Sequence, residues 1–80
     1  MNELTAIRLL LEAGHYVSFV GNFRICPEDD YGYCRVTNYL AGRTVNYHNK
    51  MDQAIKDYLA TVQAHLNGVK VFGPPGNFVV

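Results

Sequence analysis

The chain predicts an α+β domain of order α-β-β-β-α(-β), with a three-stranded antiparallel sheet covered on one face by two helices. Three observations predict it. Between Tyr16 and His48 the apolar residues recur at alternate positions, the period of a half-buried strand. Clusters of Gly, Pro, Asp and Asn interrupt that alternation, as turns do. On either side of the run, apolar residues recur three and four apart, the spacing of an amphipathic helix.

The first helix is expected from Asn2 to Ala13. Leu4, Ile7, Leu10 and Leu11 form its apolar stripe, while Thr5, Arg8 and Glu12 face away and Leu9 lies towards the polar side. Asn2 can cap its start and Gly14 can end it. His15 leads into the first strand, Tyr16 to Cys26, which carries Val17, Phe19, Phe23 and Ile25 on one face. Pro27 cannot donate to a ladder, and the polar turn Glu28-Asp29-Asp30-Tyr31-Gly32 stops that strand. The second strand, Tyr33 to Leu40, puts Cys34, Val36, Asn38 and Leu40 on the same side. Ala41-Gly42 is the tight-turn candidate, with a longer loop as the alternative because Ala-Gly is not a preferred type I′ pair. Arg43 to His48 then adds Val45 and Tyr47.

Register follows from keeping apolar residues together. Pairing Cys26 with Tyr33 sets Ile25 against Cys34, Phe23 against Val36 and Phe19 against Leu40. Pairing Leu40 with Arg43 sets Val36 against Tyr47 and Asn38 against Val45. A slip of one residue would scatter these side chains across both faces. In this register Arg24 faces Arg35, an unfavourable juxtaposition unless an acidic group neutralises it.

The second helix is expected from an Asn49 cap to about Asn67, closed by Gly68. Met51, Ile55, Tyr58, Leu59, Val62 and Leu66 form its buried stripe, with Lys56, Asp57 and Gln63 outside and His65 suiting the C-terminal end of the helix dipole. Val69 to Phe72 reads as a short further strand. After the Gly73-Pro74-Pro75-Gly76 break, Phe78-Val79-Val80 is expected to fold back on the domain or insert into a partner.

Composition narrows the function. Eighty residues make one domain, 1–80, and a hydrophobic fraction of 49% with 18% charged residues describes a globular chain. Seven basic and seven acidic residues cancel, so nucleic acid is not the expected direct ligand, since holding a duplex requires phosphate neutralisation. No apolar run can span a bilayer and no basic leader precedes an apolar core, so no membrane association and a cytoplasmic location are expected. Cys26 and Cys34 project to opposite faces, which predicts free thiols rather than a disulfide. Neither they nor His15, His48 and His65 have metal-ligand spacing. No catalytic constellation, cofactor motif or phosphate-binding loop is present, and Glu28-Asp29-Asp30 lacks the spacing of a calcium loop. A non-enzymatic role, without metal or cofactor, is expected.

The sheet face turned away from the helices is where binding is expected. It is polar but rich in rings and guanidinium groups: Tyr33 and Tyr39 beside Arg24 and Arg35, with Tyr16, Val20, Asn22, Thr37, Thr44, Asn46 and His48 around them. Tyr and Arg are the types enriched at interface hot spots. The candidate partner-binding residues are Arg24, Tyr33, Arg35 and Tyr39, together with Glu28, Asp29, Asp30 and Tyr31 of the acidic turn.

Three resemblances bear on function. The α-β-β-β-α order resembles the double-stranded RNA-binding domain. The family's Lys cluster would fall on Asn49-Lys50-Met51-Asp52-Gln53-Ala54, which has one Lys and an Asp, so RNA binding ranks below protein binding. Glu28 to Tyr33 followed by a strand, Met51-Asp52-Gln53-Ala54 opening a helix, and Gly68 to Pro75 resemble segments of HicB-like antitoxins, which implies a toxin as partner and self-association through sheet edges. In size and layout the chain resembles small phage-encoded inhibitors of anti-CRISPR type, which act by occupying a nuclease surface. That resemblance implies a protein partner such as a CRISPR effector, met by the Tyr/Arg face and the acidic turn.

Overall fold

A computed structural model describes residues 2–68. It is an α+β fold with helix α1 (Glu3–Glu12), strands β1 (Val17–Phe19), β2 (Phe23–Ile25), β3 (Tyr33–Asn38) and β4 (Arg43–His48), and helix α2 (Met51–Leu66). The strands form one antiparallel sheet in sequence order, β1-β2-β3-β4. The expected strand at Val69–Phe72 and the tail Phe78–Val80 lie outside the described residues.

The expected three strands are four, because the run Tyr16–Cys26 folds back on itself. Val20 and Gly21 both have positive φ, 46° and 74°, and the Asn22 amide donates to the Phe19 carbonyl at 3.1 Å. Val17 pairs with Ile25 and Phe19 with Phe23. Three residues separate the paired strands, so residues an even number apart stay on one face through the turn. Alternation alone therefore cannot distinguish one long strand from this hairpin, and the Gly21-Asn22 pair was the turn signal.

The register also differs by two residues from the expected one at both later ladders. Phe23 pairs with Asn38 and Ile25 with Val36, not with Val36 and Cys34. Arg24 therefore faces Thr37 rather than Arg35, and the expected juxtaposition of like charges does not occur. Val36 pairs with Val45 and Cys34 with Tyr47. In the β3–β4 ladder the cause is the loop after β3. Asn38 Oδ1 accepts the Leu40 and Ala41 amides at 3.0 and 3.2 Å, so the chain turns through Tyr39–Gly42 instead of Ala41-Gly42 alone. Leu40 consequently leaves the sheet and is exposed, against expectation. A two-residue shift preserves side-chain parity, so the assignment of faces survives it.

Both helices pack on the same face of the sheet. The core joins Ile7 and Leu11 of α1, Phe23, Ile25, Cys34 and Val36 of the strands, and Ala54, Ile55 and Tyr58 of α2. At the start of α1, Asn2 Oδ1 accepts the Thr5 amide at 2.8 Å, as expected of a cap. The helix ends with the Gly14 amide on the Leu11 carbonyl and the His15 amide on the Leu10 carbonyl, the paired bonds of a Schellman ending. Leu10, expected in the stripe, is exposed, since the buried face of α1 narrows to Ile7 and Leu11 with Leu4 at its margin. Leu66 is likewise exposed, and α2 buries Ala54, Thr61 and Ala64 instead.

The expected Asn49 cap is absent. The N-cap position is Lys50, with no side-chain capping bond. Asn49 has φ 54°, and its amide donates to the Gly32 carbonyl at 2.8 Å. It fastens the end of β4 to the acidic turn rather than starting the helix. An ion pair between Arg8 and Asp52 ties α1 to the first turn of α2.

Candidate functional site

Parity puts the even residues of β2 and β4 and the odd residues of β3 on the face without helices. The cross-strand row Ser18, Arg24, Thr37 and Thr44 runs across its middle. The Thr37 and Thr44 hydroxyls lie 3.3 Å apart in a hydrogen bond. Tyr16, Tyr33 and Tyr39 stand on this side with 58%, 41% and 51% of their surface exposed, enough to offer aromatic area to a partner.

Arg24 is the centre of the face. Its guanidinium carbon lies 4.4 Å from the centroid of the Tyr16 ring and 5.6 Å from that of Tyr39. Both distances are within cation–π range. The Nε of Arg24 is shielded from solvent and has no hydrogen-bond partner among the described residues. Arg35 sits differently. It lines a shallow cleft with Asp29, Tyr33 and Asn46, and the Asp29 carboxyl is held below its usual range first by the Tyr33 amide and to a lesser degree by the Arg35 charge. Tyr33 packs against His48 with ring centroids 4.7 Å apart, and His48 Nε2 lies 3.1 Å from the Tyr31 carbonyl oxygen.

The acidic turn divides its work. Asp29 Oδ1 accepts the Tyr31 and Tyr33 amides, each at 2.9 Å, while the Asp29 amide donates to the Tyr33 carbonyl at 3.0 Å. The Tyr33 amide is the largest reason its carboxyl is held low. Asp29 therefore shapes the turn. Glu28 and Asp30 are exposed, and so is the Tyr31 ring, at 79%. The sequence-predicted residues thus fall into two groups. Arg24 and Tyr39 share one cluster with Tyr16, and Tyr33 and Arg35 share the other with Asp29 and His48. Tyr16 and His48 were legible as face residues, but their partners depend on the register.

Charge on the sheet is one-sided. The four strands contain Arg24, Arg35 and Arg43 and no carboxylate; every acidic residue lies in a helix or in the turn at Glu28–Asp30. Cys26 and Cys34 are free thiols. Cys34 is buried on the core side, donates to the Cys26 carbonyl at 3.0 Å, and has its thiol pushed up to about 11 by burial. On the helix side, Tyr47 of β4 donates to Asp57 of α2 at 2.6 Å, so Asp57 is less peripheral than its place outside the helix stripe suggests. His65 packs edge-on against Phe23, centroids 5.1 Å apart, and closes the end of the core.

Among the described residues no group of three His, Cys, Asp or Glu side chains is placed to hold a metal ion, and no helix is long and apolar enough to cross a membrane. Comparison with protein-family models, curated proteins and solved structures yields no match, so the geometry carries the functional reading.

Proposed function

We propose that this protein is a non-catalytic, protein-binding inhibitor of anti-CRISPR type, docking by its open sheet face to occlude a nucleic-acid-binding or nuclease surface. The observation that supports it is the grouping of exposed Tyr16, Tyr33 and Tyr39 around Arg24 and Arg35 on the sheet face opposite α1 and α2. Tyrosine supplies rigid contact area with a polar tip, and an arginine stacked on rings loses little further freedom on binding. Exposed Glu28 and Asp30 at the rim add negative charge that can pair with basic groups of a nucleic-acid-binding surface and steer the encounter. Occlusion requires no chemistry from the inhibitor, only area and complementarity.

The test places a photo-crosslinking residue at Thr44 on the open face, and separately at Lys56 on the outer side of α2, in cells that express the protein. A discrete protein adduct from position 44 that is missing from position 56 is the expected result. Adducts from position 56 alone, or equal patterns from both, would remove the docking assignment.

A further inference from the structure

The acidic turn reaches one of the two arginines on the open face and not the other. Arg35 shares its cleft with Asp29. The Arg24 side chain has no ion pair and no hydrogen bond among the described residues; it lies against the Tyr16 and Tyr39 rings, and its Nε is desolvated. A shielded donor without a partner among the described residues is an unfavourable arrangement. The Tyr16 and Tyr39 rings flank the guanidinium, which restricts its orientation, and its Nε is shielded from water. Both effects strengthen an ionic hydrogen bond made by its remaining donors.

We propose that Arg24 in its Tyr16–Tyr39 cradle is a seat for a carboxylate, an Asp or Glu side chain on the surface of a protein partner. This rests on the docking role of the open face and specifies the chemistry at its centre. Charge complementarity favours that occupant, because the strands carry three arginines and no carboxylate. A phosphate chain is disfavoured. The protein has no net formal charge, and the turn with Glu28 and Asp30 stands at the end of the face where Arg35 lies. A polyanion needs a continuous basic track, whereas a single caged guanidinium suits one carboxylate.

The experiment follows the Nε–Hε signals of the four arginines in the ¹⁵N-labelled full chain. Three probes are added at matched ionic strength: a blocked tetraglutamate peptide, inorganic phosphate and an oligodeoxythymidylate. The peptide should move the Arg24 signal saturably, with the Arg8 and Arg43 signals stationary. Arg24→Lys, which keeps the charge but not the fork or the stacking, should weaken peptide binding by roughly fivefold or more. Tyr39→Leu gives a second variant that leaves Arg24 in place, and backbone amide spectra report whether each variant is folded. The proposal is overturned if the peptide leaves Arg24 unmoved, if Arg24→Lys binds it as well as wild type, or if the oligonucleotide moves Arg24 at lower concentration than the peptide. The crosslink at position 44 reads docking separately, so a lasting crosslink with a silent Arg24 would remove the seat and leave the docking reading standing.

Discussion

The Tyr47 hydroxyl donates to Oδ2 of Asp57 at 2.6 Å, joining the edge strand β4 to the middle of α2. Burial pushes the Asp57 carboxyl above its ordinary value of 3.8, while the Tyr47 bond acts in the opposite sense. The half-buried carboxylate depends on that hydroxyl. Tyr47→Phe should therefore destabilise the fold by about 1.5–3 kcal/mol at neutral pH, as loss of a hydrogen bond to a charged group does. Urea unfolding of the variant measures it, and a change below experimental error would count against the bond.

Asp57 and Asp29 should push the acid limb of the stability curve in opposite directions. The folded Asp57 carboxyl is raised, so it binds its proton more tightly than in the unfolded chain. Its contribution is present below the ordinary carboxylate value and is lost as pH rises through the folded one. The folded Asp29 carboxyl is lowered, chiefly by the Tyr33 amide, so its contribution is present above the ordinary value and is lost as pH falls through the folded one. Asp29→Asn should make stability fall less on acidification, and Asp57→Asn should make it fall more. Denaturation midpoints across the acid range for both variants would show this; shifts of the same sign would contradict it.

Gly32 has φ 85°, and a Cβ there would run into the Asn49 side-chain oxygen. Gly32→Ala thus meets an unfavourable backbone region and a collision at the joint between the acidic turn and the end of β4. A loss of about 2 kcal/mol or more is expected from the two effects together. Asn49→Gly in the same background should recover part of the loss, because it removes the colliding side chain and tolerates φ 54°.

The cysteines should titrate unequally with a thiol reagent. Cys34 is fully buried and its thiol is raised to about 11, so it should react only when the chain unfolds. Cys26 is only partly buried and should react in the native state. One equivalent of reagent consumed natively and a second after denaturation is the expected count. Two fast equivalents would mean that the core face of β3 is open.

The two adjacent leucines of α1 test which way the helix faces. Leu11 is 2% exposed and Leu10 is 45% exposed. Leu11→Ala should cost about 2–5 kcal/mol, the range for a buried leucine. Leu10→Ser should stay within about 1 kcal/mol, mostly helix propensity. Equal losses would place both side chains in the core.

Strand parity is the part of this protein that its sequence determined alone. Alternation assigned Val17, Phe19, Phe23, Ile25, Cys34 and Val36 to one face, and Arg24, Tyr33, Arg35 and Tyr39 to the other. Helical spacing placed Ile7, Leu11, Ile55 and Tyr58 against the first. Parity is robust because a period of two survives both a two-residue shift of register and a hairpin with an odd loop. What the tertiary structure decided is whatever depends on absolute register. The Val20-Gly21 reversal splits one expected strand into two, and the Asn38 side chain gathers the Leu40 and Ala41 amides and moves the second ladder. Those choices, together with the β2–β3 register across the turn at residues 28–32, set Arg24 opposite Thr37 and between Tyr16 and Tyr39, while Arg35 falls to Asp29. They turn on single hydrogen bonds and single dihedral angles, which have no periodicity to read, and so the surface's pairings emerge only once the chain is folded.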